Sequence, residues 1–279
     1  MTTTPRPTAT APRPEQPVSV TLVRAASAPR PIRLLLLHGL CSSAAVWNRY
    51  LDLAHERYEV WVAELPWRGT GMTGWTDRPV EDWVEEAVSA VPGAPDIVIA
   101  HSFGTSSVLS WLDRRSADPA RGGRDPRAVV LVSPLYRARA DNFDWQSMEY
   151  YLNNFVRILT DGMNARGGRH SAKRQQAVAL KVRDFIGPYG WIRFFETYLR
   201  MPHIRTDRLW MPFLVIGGAE DFVAFPSDAE ALGASVPDAS VHILPSEHFP
   251  MVSSPQLFAQ LVNDFIQDLD ARPGVTTPA

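Results

Sequence analysis

Residues 96–105 read Asp-Ile-Val-Ile-Ala-His-Ser-Phe-Gly-Thr, an unbroken apolar run that ends in a serine with a glycine two positions later. Apolar side chains in succession, without polar alternation, fit a strand buried on both faces of a parallel sheet. From Thr105 onward the apolar residues return at helical spacing, so Ser102 falls on a strand-to-helix turn. Small-x-Ser-x-Gly in that setting predicts a nucleophile elbow, a turn so tight that small residues are needed on both sides of the serine. Gly104 supplies one of them; Ala100 stands where glycine is usual and adds a single methyl group. The motif alone is weak, because Ser-x-Gly is common and serine is also an ordinary helix N-cap.

The same alternation extends outward in both directions. Strand-like runs fall at 32–37, 59–63, 96–100, 128–132, 213–216 and 240–244, and helical patterns at 46–55, 80–90, 105–115 and 255–269. Strands alternating with helices predict an α/β fold with a doubly wound, mostly parallel sheet. Residues 136–205 break the rhythm, with helical spacing and no strand. They hold 12 of the chain's 28 aromatic residues and a net charge of +6, against −2 for the whole chain. The expected organisation is a disordered leader at 1–17, a core at 18–135 and 206–270, a helical lid inserted at 136–205, and a disordered tail at 271–279. The carboxyl edge of such a sheet, roofed by that insertion, is where a ligand is expected.

Two further segments complete a chemical set. After the run at 213–216 comes Gly217-Gly218-Ala219-Glu220-Asp221, and after the run ending at Leu244 comes Ser246-Glu247-His248-Phe249-Pro250. Serine, acid and histidine follow one another in the order found in α/β-hydrolases, each just beyond a strand end. A serine hydroxyl is a poor nucleophile until a base takes its proton. His248 is the expected base, and Asp221 the group that orients its imidazole and stabilises the cation. Glu220 is the rival for the acid.

These motifs identify the chain as resembling the α/β-hydrolase fold superfamily over roughly residues 18–269. His38-Gly39-Leu40-Cys41-Ser42-Ser43, followed by Trp47, is similar to the His-Gly-x-x-x-Ser…Trp loop of esterase-like members. Leu65-Pro66-Trp67-Arg68-Gly69-Thr70-Gly71 takes the place of the Asp-Leu-Pro-Gly-His-Gly-x-Ser loop, with Trp67 and Arg68 replacing Gly and His. His248-Phe249-Pro250, with Pro255 opening the last helix, resembles the catalytic-histidine segment. The resemblance implies an oxyanion hole from the N–H groups of Leu40 and Phe103. It implies a serine esterase or thioesterase working through an acyl-enzyme, without metal or cofactor. Serine at the elbow, rather than aspartate, argues against the epoxide-hydrolase and haloalkane-dehalogenase branches. Acyl transfer, cyclisation, carbon–carbon bond hydrolysis and cofactor-free lyase or oxygenase chemistry use the same triad and remain alternatives, as does a non-catalytic binder.

Other residues have plainer expected roles. His38 braces the oxyanion loop, His101 packs beside the elbow, Cys41 is a small apolar filler, and Glu64 is a structural acceptor. Trp67, Arg68, Trp145, Tyr150, Tyr151 and Trp191 are the candidate substrate contacts. The basic insertion suggests an anionic or carrier-bound ester or thioester, since guanidinium grips carboxylate and phosphate bidentately.

Composition bounds the remainder. The 279 residues are 45% hydrophobic and 21% charged, with 28 basic and 30 acidic side chains. Near-neutral charge removes the usual drive toward nucleic acid or membrane surfaces. One cysteine excludes an internal disulfide or a multi-cysteine metal site. No apolar run approaches the roughly 20 residues that span a bilayer, and a cytoplasmic location is expected. Arginine supplies 26 of the 28 basic residues, a bias of GC-rich coding sequences that suggests secondary metabolism.

Overall fold

Continuous Val, Ile and Leu runs become strands covered on both faces. In the computed structural model, which describes residues 17–72, 74–118, 124–140, 143–165 and 171–272, seven strands form one sheet. They are β1 (Ser19–Arg24), β2 (Ile32–Leu37), β3 (Tyr58–Glu64), β4 (Ile97–His101), β5 (Ala128–Val132), β6 (Phe213–Gly218) and β7 (Ala239–Leu244). Their spatial order is β1-β3-β2-β4-β5-β6-β7. Every pairing is parallel except β1 with β3. Every residue of β4 and β5 is buried, and Leu34 to Leu37 of β2 are fully buried, each such side chain contributing roughly 1.5–3 kcal/mol by leaving water.

The helices are α1 (Asn48–Leu51), α2 (Val80–Ser89), α3 (Phe103–Ala117), α4 (Trp145–Ala165), α5 (Ala172–Leu199) and α6 (Pro226–Ser235) between the strands, and α7 (Pro250–Ser253) and α8 (Pro255–Ala271) after β7. The chain thus has the α/β fold expected, a mostly parallel sheet flanked by helices. The leader read at 1–17 and the tail at 271–279 lie outside the described residues, apart from Pro17, Ala271 and Arg272.

Three local expectations need correction. The helix read at 46–55 is a 3₁₀ turn, Ala44–Trp47, followed by the single turn α1. Trp47 and Tyr50 are both fully buried against Phe258, and those anchors fix the chain before a longer helix can form. Strand β1 lies outside the expected runs: it is a short edge strand in which Val20 packs on the core while Leu22 and Val23 are exposed. Helix α6 was hidden by its small residues. It lies so close to β7 that a Cβ on Gly233 would come within 2.1 Å of Val241.

Between β5 and β6, helices α4 and α5 pack on each other through Tyr151, Phe155, Trp191, Phe194, Phe195 and Tyr198. The Phe155 and Trp191 rings meet edge to face at 4.6 Å, geometry worth about 0.5–1.5 kcal/mol beyond burial. Helix α5 kinks at Gly187, whose φ of 63° suits glycine, and Pro188 lacks the N–H a continuous helix needs there.

Candidate active site

The strand order sets β4, β5, β6 and β7 side by side, so the loops leaving their carboxyl ends converge. Ser102 stands between β4 and α3 at φ 54° and ψ −123°. A non-glycine residue at positive φ is held there only by its surroundings. Here the Ser102 N–H donates to the Val132 carbonyl at 2.9 Å, and the Ser102 carbonyl accepts from the Thr105 N–H at 2.8 Å. Two close approaches demand glycine. A Cβ on Gly39 would lie 2.8 Å from Ser102 Cβ, and one on Gly104 would lie 2.9 Å from the His38 carbonyl oxygen. Ser102 occupies the N-cap position of α3 but makes no side-chain cap bond. Its Oγ lies instead 2.9 Å from His248 Nε2.

His248 Nδ1 is 2.8 Å from Asp221 Oδ2. The other oxygen, Asp221 Oδ1, accepts the N–H groups of Val223 at 2.9 Å and Ala224 at 3.0 Å. A carboxylate only accepts, so the imidazole proton belongs on Nδ1 and the lone pair of Nε2 faces the serine. Asp221 and His248 are each 3% exposed and Ser102 9%. Glu220, the rival acid, is exposed and contributes a backbone N–H to the Ser246 carbonyl. His101 Nε2 donates to the His248 carbonyl at 2.8 Å, with the two rings 4.9 Å apart. His38 uses both ring nitrogens on backbone: Nδ1 donates to the Gly39 carbonyl at 2.8 Å and Nε2 accepts from the Leu65 N–H at 2.9 Å.

The loop after β2 passes beside the serine. Its turn at Cys41 has φ 57°, and the Cys41 N–H is committed to the Trp67 carbonyl at 2.9 Å. Leu40 lines the space next to Ser102. Phe103 is the first residue of α3, where helical geometry leaves the N–H without a partner in the ladder. Burial pushes the Cys41 thiol well above its ordinary pKa, so it is a neutral wall group. Glu64 accepts the Ala44 N–H at 2.7 Å. Burial raises its pKa, against the lowering effect of that bond and of Arg68.

Ser102 and His248 open onto a cavity of about 210 Å³ whose walls, among the described residues, carry no Asp, Glu, Lys or Arg side chain. The sheet side supplies Leu40, Cys41 and Leu135; helices α4 and α5 supply the opposite wall. Of the six candidate substrate contacts, Tyr151 and Trp191 line this cavity and the other four do not. Trp67 is fully buried, donating Nε1–H to the His38 carbonyl, with its ring on Trp75 and Phe103. Arg68 reaches back to the Pro17 carbonyl. Trp145 is 79% exposed, and Tyr150 bonds the Phe222 carbonyl and faces a neighbouring pocket. The sequence reading missed Phe155, Ile158, Leu159 and Gly162, which continue the wall begun by Tyr151. Their spacing of three and four is legible as one helical stripe. At Gly162 a Cβ would stand 2.9 Å from the Phe249 ring.

Comparison with known proteins agrees with this architecture. The alpha/beta hydrolase family matches residues 34–261. A pimeloyl-[acyl-carrier protein] methyl ester esterase from Yersinia enterocolitica is 25% identical over 248 residues, covering 84% of this chain and 93% of that protein. Among solved structures, a bacterial membrane phospholipase A superposes with a TM-score of 0.66 at 16% identity, covering 92% of this chain and 88% of that one. The enol-lactonase from Burkholderia xenovorans LB400 gives 0.61 at 16% identity, covering 90% and 96%. No helix among the described residues is long and apolar enough to cross a membrane.

Proposed function

The chain belongs to the alpha/beta hydrolase family, an esterase-like hydrolase, and from that premise we propose that it is a serine esterase acting through an acyl-enzyme. The observation carrying this reading is the pair of contacts Ser102 Oγ to His248 Nε2 at 2.9 Å and His248 Nδ1 to Asp221 Oδ2 at 2.8 Å, buried at the end of an apolar cavity. Ser102 Oγ attacks the ester carbonyl while His248 Nε2 takes its proton. Asp221 keeps the imidazole in the reactive tautomer and stabilises the imidazolium. The N–H groups of Leu40 and Phe103 receive the oxyanion, a donor of this kind being worth about 2.7–4 kcal/mol in the transition state. His248 then protonates the departing alcohol, and a water deprotonated by the same nitrogen releases the acid.

Helices α4 and α5 act as the lid. With walls that are mostly apolar among the described residues, the cavity holds the apolar part of the substrate, and about 210 Å³ is below the usual range for drug-sized ligands. Short and medium acyl chains fit best. A carrier-bound acyl ester is the second reading, favoured by the name of the 25% identical relative and by the +6 charge of residues 136–205. A fluorophosphonate probe should label the protein at Ser102 and leave Ser102→Ala unlabelled. The same preparation should release p-nitrophenol from p-nitrophenyl butyrate, and Ser102→Ala should not. An unlabelled wild type, or an active Ser102→Ala, refutes the reading.

A further inference from the structure

A second, more open pocket of about 570 Å³ lies on the other side of Tyr151, which lines both spaces. Its character is different. Where the described walls of the cavity at Ser102 carry no Asp, Glu, Lys or Arg, this pocket has Arg137, Arg139, Asp144 and Asp228 set among tyrosines. The Arg137 guanidinium lies 5.5 Å from the centre of the Tyr198 ring and 5.4 Å from that of Phe143, so it is held in place by aromatic faces. Among the described residues it forms no ion pair, and its Nε is buried without a hydrogen-bond partner. Across the pocket Asp228 Oδ2 is likewise buried and unpartnered. Unsatisfied buried donors and acceptors are costly, and these two belong to residues that line the same pocket, so the protein itself leaves its polar wall incompletely satisfied.

We propose that this pocket is a second subsite of the same active site: it takes the carboxylate end of an ester substrate on Arg137, and Tyr151 is the specificity-determining wall between that end and the scissile ester at Ser102. The inference rests on the serine-esterase reading and adds the substrate class, an ester bearing a carboxylate remote from the bond cleaved. Guanidinium matches a carboxylate with parallel N–H donors. Of the two carboxylates on the pocket among the described residues, Asp144 is engaged by the Ser147 N–H and hydroxyl; Asp228 would oppose an anion if ionised, but burial, with repulsion from Asp221 second among the raising effects, pushes its pKa up to about 7. Below about pH 7 Asp228 is mostly protonated and carries no charge. Tyr151 is kept in position by a 2.7 Å hydrogen bond to the Tyr198 hydroxyl, so its ring sits in a defined place at the edge shared by the two spaces.

The test compares matched esters. Mono-p-nitrophenyl adipate and methyl p-nitrophenyl adipate place a carboxylate or its neutral ester at the end of the acyl arm; 4-carboxyphenyl butyrate and 4-(methoxycarbonyl)phenyl butyrate do the same on the alcohol arm. In one arm the carboxylate member should have a kcat/KM about tenfold higher at low salt, a preference that shrinks at high ionic strength. Arg137→Gln should reduce that ratio to about one, and Arg183→Gln, on the exposed side of α5, should leave it unchanged. Tyr151→Trp, a bulkier partition, should depress the carboxylate ester more than p-nitrophenyl acetate. With wild-type protein alone, adipate should inhibit p-nitrophenyl acetate hydrolysis more strongly than dimethyl adipate. Hydrolysis of the neutral esters with no carboxylate preference in either arm, or equal inhibition by adipate and its dimethyl ester, overturns the subsite. Failure to hydrolyse any of these esters overturns the esterase reading on which it rests.

Discussion

Asp221→Asn is nearly isosteric, yet the hydrogen bonds around it dictate a specific failure. Oδ1 accepts two backbone N–H groups, from Val223 and Ala224, at 2.9 and 3.0 Å. In the asparagine variant the amide oxygen must stay on those donors, since the NH₂ group cannot accept from them. The amide nitrogen is therefore aimed at His248 Nδ1, where it donates. Nδ1 becomes the acceptor, the imidazole proton moves to Nε2, and that nitrogen now donates to Ser102 Oγ instead of receiving its proton. The variant loses the base as well as the charge that stabilises the imidazolium. A change of this type lowers kcat on the order of 10⁴-fold in other triads, or about 5.4 kcal/mol of barrier. Asp221→Ala supplies the contrast, because it removes the orienting group without imposing the wrong tautomer. The assay is kcat for p-nitrophenyl butyrate hydrolysis in the three proteins, with thermal unfolding as the check that each is folded. Asparagine should be at least as damaging as alanine. An asparagine variant within tenfold of wild type, or one far more active than the alanine variant, would refute the tautomer argument.

Asp228 gives a stability prediction with a defined sign. Its carboxyl, at 3.8 when free, rises to about 7 through burial first, with Asp221 adding to the rise and the Phe225 backbone and Arg137 opposing it; Tyr151 and Tyr198 face the same carboxylate. A raised folded pKa means that the native state binds the proton more tightly, so this contribution is intact below about pH 4 and is lost as pH rises through 7. Asp228→Asn should therefore raise Tm relative to wild type at pH 8 more than at pH 4, and an equal effect at both would contradict the burial of an ionisable group there. The third expectation concerns chain length. p-Nitrophenyl esters from acetate to hexanoate should be preferred over the palmitate, and Trp191→Ala, which trims one wall of the 210 Å³ cavity, should shift the optimum to longer chains. A wild type that prefers palmitate would show that the closed cavity is not the reacting form.

Much of the protein was readable from its residues because the deciding signals are local. Uninterrupted Val, Ile and Leu runs mark strands that must be covered on both faces, and Ser102, Asp221 and His248 each follow a strand-like run within a few residues, the last of them the alternating edge strand β7, so chain order aligns them at one sheet edge. The departures arose where a local signal was weak or the outcome lay in the packing. Edge strand β1 is short and turns only part of its alternating run inward, Val20 packing on the core while Leu22 and Val23 stay exposed, and α6 is held by the closeness of small residues to β7. Trp67 and Tyr151 are both aromatic residues beside chemically suggestive sequence, but one is sealed under the His38 loop and the other forms the wall between two spaces. Exposure of that kind depends on contacts between residues distant in the chain: the second pocket joins Arg137, Tyr151, Tyr198 and Asp228 from four separate segments. The sequence determines which elements form and which chemistry they carry. Only the packing of α4 and α5 over the sheet decides which side chains meet a substrate, because that depends on shape and burial across elements rather than on spacing within one.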